Sequence, residues 1–236
     1  VQPNKNIAPS QALHQVVSYD QRIGENTRLK VEAYIQNINQ VPIDTTKKGL
    51  FSLVNYTSGI PGQVLENTGK GINMGIELTL ERFLADNFYY LITASVFDTK
   101  YKAKKNVWYN TQFNNNYAAN LLVGKDFHQK FSVNLRYLIR GGNRYTPINL
   151  AESIRRNTTV LTSSQIMQAQ YPTFQRLDLS IAYKLNRAKH TWTIRADLQN
   201  ILDIDNVIEE RYDSNAKAIA YRYALPLIPI LSTRVD

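Results

Sequence analysis

The sequence predicts an all-β chain built from the antiparallel strands of a transmembrane β-barrel. Three observations point there. The first is strict alternation. In Thr191 to Asp203, Trp192, Ile194, Ala196, Leu198 and Leu202 fall on one side and Thr191, Thr193, Arg195, Asp197 and Gln199 on the other. Period two makes a strand with one apolar and one charged face. The second is length: soluble strands run about 5–6 residues, whereas a tilted strand crossing a bilayer needs about 9–11. A charged face on so long a strand implies a wet interior with lipid outside. The third is the order of the connections, which alternate between short and long.

Each element follows the same logic. The opening dozen residues read as loop, with Pro3 and Pro9 as breakers. Leu13 to Gln21 sets Leu13, Val17 and Tyr19 against His14, Ser18 and Asp20. After a turn at Ile23-Gly24-Glu25-Asn26, Thr27 to Asn37 sets Leu29, Val31, Ala33 and Ile35 against Arg28, Lys30, Glu32, Tyr34 and Gln36. Val41 to Gly71 reads as a long connection. Ile72 to Phe83 places Ile72, Met74, Ile76, Leu78 and Leu80 opposite Asn73, Glu77, Thr79 and Glu81. A turn at Ala85-Asp86-Asn87 leads into Phe88 to Tyr101, and Lys102 to Phe113 is a medium loop.

Asn116 to Lys125 and Phe131 to Ile139 are the next two strands, joined by a short link. Gly141 to Pro172 is the second long loop. Phe174 to Leu185 alternates Leu177, Leu179, Ile181 and Tyr183 with Arg176, Asp178, Ser180 and Lys184. A turn at Asn186 to Lys189 enters the strand from Thr191. Ile204 to Lys217 is a third loop, and a last strand runs from about Ala218 to the end, with Ile219, Tyr221, Tyr223, Leu225, Leu227, Leu231 and Val235 on one parity. All short turns fall at one end and all long loops at the other, as in outer-membrane barrels, whose periplasmic turns are short and extracellular loops long. About nine strands are expected, an odd number, whereas single-chain bacterial barrels have even counts. An unpaired edge in lipid is not tolerated. The expectation is therefore a piece of a larger barrel lacking strands on its N-terminal side.

Composition narrows the function classes. There is no Cys, which excludes disulfides, thiolate metal sites and Cys nucleophiles. No run approaches the ~18 apolar residues of a membrane helix, and the N-terminus shows no signal pattern. The net charge of +9 favours anionic neighbours such as lipopolysaccharide or an anionic solute, set against a generally basic surface. The 15 Tyr, many at strand ends, fit interface girdles or plain β-propensity.

The quoted strands resemble the C-terminal part of a TonB-dependent outer-membrane receptor of the Bacteroidetes type. The stretches that carry the resemblance are Ser10 to Gln36, Thr68 to Phe83, Leu91 to Tyr101, Asn110 to Tyr117, GGNRYTPINL from Gly141 to Leu150, Phe174 to Asn186, Trp192 to Val207 and Tyr223 to Asp236. They cover most of the chain in the family's order. The resemblance implies a ~22-stranded barrel plugged by an N-terminal globular domain, with solute bound outside and energy delivered through TonB. Residues 1–236 then form the C-terminal portion of the barrel domain, about its last nine strands. The plug, the TonB box and the first strands are expected outside this sequence. Such barrels usually end in an aromatic residue, so one further residue, a Phe, is expected after Asp236. The family often works with a surface lipoprotein lid.

No catalytic constellation is visible. Glu77 and Glu81 share a strand face, where they are expected to meet Arg and Lys. Asp203, Asp205 and Glu209 have oxygen-ligand character without the Gly of a calcium loop. His14, His128 and His190 lack partners for a metal triad, and no Gly-rich phosphate loop precedes a helix signal. No cofactor and no nucleic-acid partner is expected.

Binding is the better role. Two outer-loop patches stand out: Trp108 and Tyr109 beside Lys104 and Lys105, and Arg140, Arg144, Tyr145, Arg155 and Arg156. Aromatics with Arg suit sugars, chelates or anionic groups. The competing reading makes Gly141, Gly142 and Pro147 backbone devices that steer the loop off its strand. Arg136, Arg176, Arg195 and Arg222 are expected to line the lumen and hold the plug or one another, since an unpaired buried charge is costly. The expected function is active import of a large or scarce solute across the outer membrane: an iron chelate, oligosaccharide, cobalamin or peptide. A stand-alone barrel for adhesion or secretion is the alternative. An enzyme barrel ranks third, for want of a Ser/His/Asp conjunction at one rim.

Overall fold

Alternation in the sequence becomes alternation in space. A computed structural model describes residues 4–46, 51–56, 61–103, 107–128 and 130–236. In chain order its strands are β1 (Gln11–Ile23), β2 (Thr27–Asp44), β3 (Leu65–Ala85), β4 (Phe88–Lys102), β5 (Trp108–Asn110), β6 (Tyr117–Phe127), β7 (Phe131–Arg140), β8 (Arg144–Tyr145), β9 (Ala169–Gln170), β10 (Phe174–Asn186), β11 (Thr191–Gln199), β12 (Val207–Asp213), β13 (Ala218–Tyr223) and β14 (Ile228–Val235). One helix, α1 (Leu150–Arg156), lies in the second long loop. The wall is a single antiparallel path of nine strands, β1-β2-β3-β4-β6-β7-β10-β11-β14. The remaining strands belong to loops.

The register keeps mostly polar residues on one face and mostly apolar residues on the other. His14, Gln36 and Asn73 align across β1, β2 and β3, as do Ser18, Glu32 and Glu77. One step along, Val17, Ala33 and Ile76 form the apolar row. The same parity continues through Leu135, Leu179 and Leu198 to Pro229. Directly opposed residues of a ladder point to one side, so the polar rows face the lumen and the apolar rows face lipid. Val17, Ile76, Val96 and Leu231 on the apolar rows are strongly exposed.

Near the short turns the apolar face becomes aromatic. Phe88 and Tyr90 of β4, Phe127 of β6, Phe131 of β7, Tyr183 of β10 and Trp192 of β11 all lie on that parity. Phe131 and Tyr183 touch at 4.7 Å. This is the interfacial girdle of a membrane barrel, and it marks the periplasmic rim.

Strand lengths place the rest. β3 has 21 residues, roughly 65 Å at about 3.3 Å per residue, against a hydrocarbon core of ~30 Å. Even steeply tilted, β2 and β3 stand clear of the membrane at the long-loop end. There Val41, Ile43, Tyr101 and Ala103 form a buried cluster, with Ile38, Val54, Tyr109 and Met167 packed on it. A wet environment explains why these apolar side chains are buried as in a soluble protein.

Four details differ from the sequence expectation. The first long loop is shorter, because β2 reaches Asp44 and β3 starts at Leu65. Pro42, Gly69 and Gly71 do not end the strands, since bulges after Ile38 and Val41 absorb the irregularity. The Thr191 strand stops at Gln199, where Asn200 turns into the left-handed region (φ 53°), so Leu202 is not on its apolar face. The expected last strand is two strands. Ala218–Tyr223 pairs with Val207–Asp213 as an outer hairpin, and only Ile228–Val235 joins the wall, after a break at Ala224 to Leu227 around Pro226. Arg222 therefore sits on the outer hairpin, paired with Glu209 at 2.7 Å, and not in the lumen.

Candidate functional site

The long-loop end holds both predicted patches, and asparagines organise it. Asn114, Asn115 and Asn116 close the β5–β6 connection, with Asn116 at φ 68°. Asn tolerates the left-handed region better than most residues and carries both a donor and an acceptor. The Asn114 amide donates to Asp98 Oδ1 (2.7 Å) and Asn110 Oδ1 (2.9 Å). The Asn115 amide donates to the Gly141 carbonyl (2.8 Å) and Asn143 Oδ1 (2.9 Å).

The loop after β7 is held from both sides. The Arg140 guanidinium lies 4.6 Å from the Phe174 ring and donates to Asn143 Oδ1 (2.7 Å). Arg144 donates to the carbonyls of Asn114 (3.3 Å) and Gln168 (3.2 Å) and to Asn116 Oδ1 (2.7 Å). Gly141 and Gly142 are required by space. An added Cβ would sit 1.9 Å from the Asn115 carbonyl oxygen at the first and 1.9 Å from that of Tyr171 at the second.

Tyr145 stacks flat on Tyr171, centroids 4.0 Å apart and planes within 4°. The Tyr171 hydroxyl accepts from the Glu210 N–H (2.8 Å), and the Glu210 carboxylate accepts from the Ile148 N–H (2.8 Å). Burial pushes the Tyr171 phenol up to about 12, and burial beside Glu210 raises that of Tyr145.

These bonds join the four outer connections into one assembly. Asn55 of the first accepts from the Gln112 N–H (3.0 Å) and takes the Gln112 side-chain amide on its carbonyl (2.6 Å). Asn110 of the second donates to the Met167 carbonyl of the third (3.1 Å). The third reaches the fourth through Glu210, and Asn206 pins the fourth to Gln175 of β10 with bonds of 2.8 Å in both directions.

The predicted residues divide by position. Arg140, Arg144 and Tyr145 are engaged in the framework just described. Trp108 is 43% exposed under Lys102, whose Nζ is 5.4 Å from the ring, while Tyr109 packs on Tyr101 at 5.7 Å. Lys104 and Lys105 lie outside the described residues. Arg155 and Arg156 project from α1, both paired with Glu152 (2.6 and 3.2 Å), and the pairing holds the Glu152 carboxyl below the usual carboxylate range. The two patches are thus carried on one interlocked platform.

A second feature escaped the sequence reading. Under the loops, the lumen face of β1–β4 forms a concavity of about 640 Å³. His14 meets Tyr34 edge-on at 6.0 Å, Asn73 donates to Gln36 Oε1 (2.6 Å) and accepts from the Thr99 hydroxyl, and Phe97 forms part of the wall. The available signal was Tyr34 and Phe97 on the polar parity, since an aromatic on a lumen row breaks the alternation.

The lumen charges are partly paired. Arg28 bonds Asp20, Lys30 reaches Glu32 (2.7 Å) and Arg176 reaches Asp178 (2.8 Å). Glu77 faces Glu32 across the ladder and Glu81 faces Arg28. Neither makes an ion pair among the described residues. Asp203 accepts from the Leu227 N–H (2.9 Å). The described residues contain no group of three or more potential metal ligands.

Comparison with known proteins agrees with this architecture. Residues 18–201 match the family model "TonB dependent receptor-like, beta-barrel". The chain belongs to that family. Barrels of this family sit in the outer membrane, and so does this wall. Similar solved structures include the ferric-catecholate import receptor Fiu of Escherichia coli K12, at 12% identity and a TM-score of 0.65, covering 99% of this chain and 28% of that one. The ferripyoverdine receptor of Pseudomonas aeruginosa gives 12% identity and 0.63, covering 98% of this chain and 28% of that one. The outer membrane transporter YddB of Escherichia coli gives 11% and 0.60, with 98% and 33% covered. The chain thus spans a third or less of each. A search of curated protein sequences finds no match.

Proposed function

We propose that this chain is the closing wall and part of the outer mouth of an active outer-membrane transporter, which imports a large or scarce solute without chemistry on it. The single observation that carries this is the interlocked platform of four outer loops, set over a polar and aromatic lumen concavity. Its asparagines, arginines and tyrosines are arranged to hold a polar solute. Iron chelates are the leading class, since two of the similar receptors are named for ferric-catecholate import and for ferripyoverdine. Oligosaccharide, cobalamin and peptide remain in the same class of task.

Within this proposal, residues 1–236 are the C-terminal portion of a barrel whose remaining strands, plug and TonB-contacting segment belong to the same protein. The free edges of β1 and β14 then pair with strands of that barrel, because lipid does not accept them open. The unpaired Glu77 and Glu81 and the lumen arginines face the plug. Kinship with the Bacteroidetes type, and with it a surface lipoprotein lid, rests on the sequence stretches quoted above.

Among the described residues of the predicted patches, Trp108, Arg155 and Arg156 are the exposed ones and are assigned to solute contact. Tyr109, Arg140, Arg144 and Tyr145 act by positioning them. Replacing residues 143–170 with a short linker in the full-length protein is expected to abolish uptake while the barrel still assembles and shows heat-modifiable mobility. Unchanged uptake would remove this loop from the transport path.

A further inference from the structure

The periplasmic rim carries a second feature that transport does not use. The turn between β10 and β11 presents Arg187, Lys189 and His190, all exposed, immediately below Leu185 and Trp192 on the lipid-facing parity. Together they line a cleft of about 670 Å³. Lys130 of the neighbouring turn is close, because its carbonyl accepts from the Lys184 N–H (2.7 Å).

Among the described residues no carboxylate answers these cations. Among the described residues neither Arg187 nor Lys189 has an ion-pair partner, and the nearby Asp236 is engaged by Arg234 at 2.7 Å. Two of the other short turns differ: that between β1 and β2 carries Glu25, and that between β3 and β4 carries Asp86, paired with Arg82 at 3.1 Å. Positive charge is therefore concentrated on one arc of the rim, next to the aromatic girdle.

We propose that this cleft binds the headgroup of an anionic glycerophospholipid of the inner leaflet. The phosphate lies between Arg187 and Lys189, within reach of the His190 imidazole, where charge-assisted hydrogen bonds are strong. The acyl chains run along Leu185, and Trp192 sits at the interface with its indole N–H free to meet the ester region. The geometry has a charged end at headgroup depth and an apolar end at acyl depth, which a free anion or a protein carboxylate does not match. The inference depends on the orientation of the barrel, not on transport.

The test uses the full-length protein in phosphatidylcholine nanodiscs with phosphatidylglycerol titrated in and retained lipid counted by native mass spectrometry. The wild type is expected to retain phosphatidylglycerol preferentially. Arg187→Gln and Lys189→Gln are each expected to lower that preference by about fivefold, and Lys217→Gln on the outer hairpin leaves it unchanged. Brominated phosphatidylglycerol should quench emission more than brominated phosphatidylcholine, a difference lost in Trp192→Phe. That readout needs only the wild type and a conservative variant, so it decides even where the glutamine variants fail to assemble. Equal retention of the two lipids, no difference in quenching, or a wild-type preference in an assembled double variant would overturn the proposal. An assembly defect with lipid preference intact would overturn it too, and would assign the cations to a protein partner.

Discussion

Gly142 and Tyr171 show how single residues set the outer loops. The Gly142 backbone passes so close to the Tyr171 carbonyl that a methyl group has nowhere to go. Gly142→Ala is expected to displace the loop at a cost of about 2 kcal/mol, read as faster hydrogen exchange from residue 141 to 173. Tyr171→Phe removes the acceptor of the Glu210 N–H and should cost about 1 kcal/mol locally, with exchange accelerated at the Glu210 amide. The same phenol gives a pH dependence. Burial lifts its pKa from an ordinary 10.0 to about 12, so it stays neutral in the folded loop and ionises first in the unfolded chain. Its contribution is intact below about pH 10 and lost as pH rises toward 12. The phenolate absorbance lost on Tyr171→Phe should therefore titrate near 12. A titration near 10 would mean that the ring is not held under the loop.

Strand elements follow from one rule, that lipid rows and lumen rows alternate. Leu78 and Thr79 are neighbours on β3 with opposite fates. Leu78→Arg, facing lipid, is expected to destabilise the full-length barrel by about 3 kcal/mol, while Thr79→Arg, facing water, stays within about 0.5 kcal/mol. Urea titration in detergent separates the two. Because alternation is local, it was legible in the sequence: eight of the nine wall strands and the segregation of short turns from long loops could be read directly, and the ninth lay inside a longer stretch of the same parity. What period two does not encode is where a strand stops. Asn200 ends β11 by turning left-handed, with its buried side chain bonded to the carbonyls of Ile204 and Leu225, and no neighbour in sequence announces that. Pro226 splits a stretch of constant parity into a loop strand and a wall strand for a similar reason: parity survives a break that pairing does not.

At the scale of the whole molecule, the candidate site was legible as composition and not as geometry. Arg and aromatic residues in the outer loops drew notice, but which of them point outward depends on contacts across more than twenty residues, such as Arg144 to Asn116 and Ile148 to Glu210. The lumen concavity was hidden because it is built from four strands at once. This wall is proposed to belong to a transporter driven through TonB. Growth of cells on each solute class in turn, as the limiting source, with the full-length gene present or deleted and TonB present or deleted, tests it most directly. One class is expected to support growth only when both are present. If no class depends on the gene, or if the dependence persists without TonB, the wall serves something other than energised import.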